Sequence, residues 1–114
     1  MVTLEALREF GANVDEGIAR CAGSEALYLR LVGTIFGEKS FDGLQEAVQK
    51  EDYKAAFEYA HALKGVLGNL SLPPLYEPVA ELTELLRPQT PGDYAQRVTE
   101  ILERKAKLQA LCED

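Results

Sequence analysis

Few side chains here can carry chemistry by themselves. The 114 residues include one histidine, two cysteines, one methionine and no tryptophan. A lone histidine with two distant cysteines, Cys21 and Cys112, offers no ligand spacing for a metal. The same two cysteines make no disulfide framework, and two reduced, partly buried thiols are expected. Positive charge is also short. Twelve Lys and Arg against 19 Asp and Glu leave a net charge of −7, with no basic patch interleaved with aromatics. That excludes nonspecific binding to nucleic acid or to an anionic membrane surface. No apolar run approaches the roughly 18 residues that span a bilayer. The opening MVTLEALREFG lacks the features of a signal peptide, so the cytoplasm is the expected compartment. A Walker loop, a dinucleotide fingerprint, a nucleophile elbow and an H-E-x-x-H motif are all missing. No means of binding ATP is therefore expected.

What is present is apolar residue at helical spacing. With 46% hydrophobic and 27% charged residues, the chain suits one globular domain over residues 1–114. No segment alternates with period two. Leu4, Leu7 and Phe10 mark a short helix ending at Gly11, and Asn13 can cap another carrying Val14 and Ile18. Ser24 is placed to cap a helix in which Leu27/Tyr28, Leu31/Val32 and Ile35/Phe36 recur every four residues as far as Gly37. Ser40 can cap the next, with Leu44, Ala47 and Val48 inward. Asp52 caps a helix over about 53–70. Pro73 and Pro74 suit the start of a further helix with Val79, Leu82, Leu85 and Leu86 as its stripe, and Pro78 is expected to delay its regular part. Asp93 is placed to cap a last helix carrying Tyr94, Val98, Ile101, Leu102, Leu108 and Leu111. The expected fold is all-α: an antiparallel up-down-up-down four-helix bundle with short extra N-terminal helices.

The stretch YAHALKGVLGNL, residues 59–70, holds the single histidine. On a wheel advancing roughly 100° per residue, Leu63, Leu67, Ala60, Ala56 and Leu70 form one narrow apolar stripe. His61 falls on the opposite side, with Lys54, Phe57, Lys64, Gly65 and Gly68 around it. Each interior glycine costs a helix roughly 0.5–1 kcal/mol relative to alanine. What the two glycines supply in return is space beside the imidazole. Imidazole titrates near neutral pH, so its unprotonated nitrogen is a competent nucleophile. Lys64, three residues on, can swing an ammonium over a group attached to the ring. The set suits a phosphoryl group on His61 with its charge offset by Lys64.

AHALKGVLGNLSLPPLYEPVAELTELLR resembles the histidine phosphotransfer (HPt) domains of phosphorelays. Their motif is a histidine, lysine and glycine at the third and fourth positions after it, a small residue at the seventh and often glycine at the tenth. His61, Lys64, Gly65 and Gly68 match, and Ser71 departs at the tenth. The likeness extends upstream through LREFGANVDEGIARCAGSEALYLRLVGTIF and covers roughly residues 4–87, the last helix matching only in character. It implies that His61 takes a phosphoryl group from a receiver-domain aspartate and passes it to another receiver. It also implies a phosphocarrier without kinase activity, with no cofactor of its own and Mg2+ brought by the receiver. The partners would be response-regulator receivers or a hybrid sensor kinase, met by a monomer. Lys54, Phe57 and the glycine strip are the expected docking face.

Three other readings compete. A helical module that docks receivers without phosphotransfer would not need His61 and Lys64 together. The dimerisation domain of a histidine kinase would require an ATP-binding domain and a dimer of hairpins, whereas this chain has helices enough for a bundle of its own. A metal-binding bundle lacks inward-facing Glu and Glu-x-x-His ligands.

Overall fold

The computed structural model describes residues 1–113. Among them are seven α-helices and no strand: α1 (Leu4–Phe10), α2 (Val14–Arg20), α3 (Glu25–Gly33), α4 (Ser40–Gln49), α5 (Tyr53–Asn69), α6 (Pro73–Leu86) and α7 (Ala95–Leu111). A 3₁₀ turn, Thr34–Gly37, follows α3. The all-α class is the one the periodicity indicates.

The bundle consists of α4 to α7. Cross-helix contacts set its register. Lys64 lies opposite Glu84 and Gly68 opposite Tyr76, so α5 and α6 run antiparallel. Arg97 bonds Glu81 while Arg104 bonds the Pro74 carbonyl, which sets α6 and α7 antiparallel in turn. Gly43 of α4 packs against the Tyr59 ring of α5. Helix α4 also touches α7, closing the ring of four. The core between them is filled by Phe41, Leu44, Leu63, Leu67, Leu82 and Ile101, all almost fully buried. Burial on this scale is the main favourable contribution to folding.

The N-terminal helices dock on one end of the bundle, where α5 stops. The Tyr28 hydroxyl of α3 donates to the Leu70 carbonyl at 2.8 Å. The Asn13 amide donates to the Ser71 carbonyl at 2.9 Å, and the Ser71 hydroxyl donates to Glu16 Oε1 at 3.0 Å. Burial, with Cys21 and Glu16 nearby, pushes the Tyr28 phenol from its ordinary 10.0 up to about 12. Gly17 lets this happen. A Cβ there would lie 2.3 Å from the Tyr28 ring, inside any real contact distance.

Several local expectations are corrected. The helix after Ser24 does not run unbroken to Gly37: its α-helical part ends at Gly33, and the Thr34 hydroxyl bonds back to the Leu31 carbonyl at 2.6 Å as the chain tightens. At nine residues, α3 joins the short N-terminal pieces, which are three rather than two. Ser24 does cap it, accepting from the Leu27 amide. Ser40 is not a cap but the first helical residue; the Glu38 carboxylate accepts its amide at 3.1 Å. Asp93 does not cap α7 either. Tyr94 holds that position with no side-chain cap, and its hydroxyl closes the preceding loop onto the Thr90 carbonyl. Leu31 and Leu85 are exposed rather than inward, and Thr83 is buried on the α6 stripe, its hydroxyl satisfied by the Val79 carbonyl. Pro78 does not delay α6, which is helical from Pro73 onward. Proline has no amide to offer the carbonyl four residues back. Here that carbonyl, of Pro74, accepts from the Arg104 guanidinium of α7 at 2.9 Å. A missing intrahelical bond has become a bond between helices.

Candidate functional site

The longest bundle helices are α5 and α7, at 17 residues each, and α5 carries the histidine. Asp52 starts α5 by accepting the Ala55 amide at 3.1 Å. Ala56, Ala60, Leu63 and Leu67 are wholly buried, so the opposite side of the helix must face out. His61 and Gly65 are exposed, and Lys64 is about one third exposed along its side chain. Phe57 is half-buried one turn before His61, and the two rings stack with centroids 5.7 Å apart and planes 17° off parallel. Lys54 is exposed a further turn back.

The two glycines beside the histidine prove physically different. A Cβ on Gly65 would meet no atom within 4 Å. Nothing in the fold requires glycine there, and the helix would be more stable with alanine. A Cβ on Gly68 would lie 3.1 Å from the Tyr76 ring of α6, so this glycine seats a neighbouring helix as well as lining the surface.

Ser71 occupies a backbone conformation that explains the usual glycine at that position. It has φ +54° just after α5, the left-handed turn that ends many helices. Serine adopts it at some cost, offset by the bond from its hydroxyl to Glu16. The departure at Ser71 therefore concerns the end of the helix and the docking of α2.

The fold adds groups that reading α5 alone misses. Along α5 the nearest acid to His61 is the exposed Glu58, and α6 brings another, Glu84. Its Oε2 lies 4.0 Å from Lys64 Nζ. Arg87, at the end of α6, holds the same carboxylate through Nε at 3.1 Å and Nη2 at 2.7 Å. The Arg87 guanidinium also lies over the Phe57 ring, 5.1 Å from its centroid. The Arg87 hydrogen bond holds the Glu84 carboxyl below the usual carboxylate range, with smaller contributions from Lys64 and His61. A signal existed in the sequence: Glu84 and Arg87 are three apart, which puts them on one helix face. Which helix that face would meet was not legible.

A groove of about 580 Å³ opens beside His61. Lys64, Gly65 and Gly68 form one wall, and Asn13, Glu16 and Arg20 of the α2 segment another. Among the described residues no cluster of His, Cys, Asp and Glu could hold a metal ion. No described helix is long and apolar enough to cross a membrane.

An outward histidine on a bundle helix, with a lysine one turn on and an unneeded glycine beside it, coincides with what comparison with protein families returns. A family model described as Hpt domain matches residues 36–114. The chain belongs to the Hpt domain family. This Hpt domain therefore has a phosphotransfer role in a phosphorelay, and the match spans α4 to α7, the whole bundle. It includes the last helix and leaves residues 4–35 outside, a different extent from the likeness traced along the sequence. Neither curated proteins nor solved structures returned a match.

Proposed function

We propose that His61 is the phosphoacceptor of this Hpt domain, taking a phosphoryl group from a receiver-domain aspartate and passing it to a second receiver. The observation that carries this is Gly65: an exposed helical glycine next to His61 that costs stability and serves no packing need. Its use is to let a partner's backbone or side chain come close to the imidazole.

In the transfer, the lone pair of an unprotonated ring nitrogen forms the N–P bond. The P–O bond to the aspartate breaks, and its electron pair leaves with the carboxylate. Lys64 offsets charge on the phosphoryl oxygens. The receiver contributes Mg2+ and the remaining catalytic groups, so this chain needs no nucleotide or metal site of its own. Phe57 and Lys54 extend the docking face along α5, and Gly68 widens it toward α6. The setting is the cytoplasm, where receivers and hybrid sensor kinases present their aspartates, and a monomer suffices.

The test is transfer from phosphorylated receivers in the presence of Mg2+, run beside His61→Gln. Acid-labile label on the wild type and none on the variant is the expected outcome. Receivers that bind both proteins equally and label neither would replace this reading with docking alone.

A further inference from the structure

Taking His61 as the phosphoacceptor, we propose that Glu84 is a brake on its phosphorylation and that Arg87 is a positioning residue that holds the brake off Lys64. Five side chains form a chain of contacts that starts at the imidazole and ends at Lys64. His61 stacks on Phe57, Phe57 carries the Arg87 guanidinium, Arg87 grips Glu84 at two points, and Glu84 reaches Lys64. The grips are unequal. Arg87 meets the carboxylate at 2.7 and 3.1 Å in a fork geometry, whereas Lys64 stands 4.0 Å away, at the outer limit of an ion pair. Phe57 fixes the guanidinium from behind, so Arg87 is held in place for that grip.

A phosphoryl group on His61 changes the balance. Lys64 then has two anions to choose between, and Glu84 repels the new charge. A docked receiver excludes water and strengthens both effects. With Arg87 present, the Glu84 charge is largely answered and Lys64 is available to the phosphoryl oxygens. Without Arg87, the carboxylate turns to Lys64, the next cation. The other charges around His61 do not take this part. Lys54 and Glu58 are exposed on α5, and across the groove Glu16 and Arg20 are paired with each other at 3.2 Å.

The probe is phosphoramidate, which phosphorylates histidine without any receiver. The N–P bond to His61 forms as the donor P–N bond breaks and ammonia leaves. Phosphohistidine formation and lifetime are followed by 31P NMR. Glu84→Gln should raise the labelling rate several-fold, and Arg87→Ala should lower it several-fold. The double variant should match Glu84→Gln, because a clamp without a brake does nothing. Arg87→Ala slowing the reaction equally in both backgrounds, or Glu84→Gln having no effect, would overturn the proposal while leaving His61 as phosphoacceptor. No label on His61 in any variant, with free imidazole labelled alongside, would sink both readings.

Carboxyl 13C titration of Glu84 needs no phosphotransfer. In Arg87→Ala the carboxyl should stay below the usual range because Lys64 takes over, returning to it only when Lys64→Met is added. A full return in Arg87→Ala alone would show that Lys64 does not engage Glu84, and the brake would fall.

Discussion

Two places on α5 lie only a few residues apart and are built oppositely. At its C-terminal end, where α2 and α3 dock, polar groups are paired at short distance: Tyr28 to Leu70, Asn13 to Ser71, Ser71 to Glu16. One turn or two earlier, around His61, Lys64 only reaches its partner at 4.0 Å and a glycine faces empty space. The docked end holds helices together, and among the described residues no buried side-chain polar atom lacks a partner. On the proposed reading, the face around His61 keeps Lys64 available because a group already satisfied has little to give an incoming phosphate. Gly17 and Gly65 express the same contrast in one residue type, the first filled by a neighbour's ring and the second open.

Substitutions should separate the two regions cleanly. The largest effect is expected for His61→Gln: transferable label is lost altogether, while the urea unfolding midpoint stays put because the side chain is exposed. Next come the paired glycines. Gly17→Ala forces a Cβ into the Tyr28 ring and should destabilise by about 1–3 kcal/mol in urea unfolding. Gly65→Ala should do the reverse, stabilising by about 0.5–1 kcal/mol while slowing transfer from a receiver. Equal transfer rates for Gly65→Ala and wild type would remove the functional reading of that glycine.

Tyr28→Phe strips the Leu70 carbonyl of its donor and should cost about 1–3 kcal/mol. Its pH dependence provides a second check. The folded protein keeps the phenol protonated up to about 12, while an unfolded tyrosine releases its proton from 10.0. The unfolded chain therefore binds fewer protons in that window, and stability falls as pH rises through it. Tyr28→Phe should flatten this decline, measured as the unfolding midpoint against pH.

The smallest effect is at Ser71. Glycine relieves the left-handed backbone but loses the bond to Glu16, so Ser71→Gly should fall within about 1 kcal/mol of wild type. Ser71→Ala loses the bond and keeps the strain, and should unfold more readily than either. A Ser71→Ala protein as stable as Ser71→Gly would mean that φ at this position matters little.

The sequence by itself determined the helical class, the buried stripe of α5 and the outward direction of His61, because these follow from a period of 3.6 residues and from which side chains avoid water. It also carried the motif that marks the Hpt family. Caps were legible where a short polar side chain reaches its own helix, as at Ser24 and Asp52, and not where a neighbour such as Glu38 did the work. Only the tertiary structure decided what meets the α5 surface from elsewhere: Glu84 and Arg87 beside Lys64, Tyr76 against Gly68, Tyr28 over Gly17 and Arg104 on the Pro74 carbonyl. Periodicity tells a residue which way to point relative to its own helix axis. It does not tell two helices how to register against each other, since that is settled by the joint packing of all four at once.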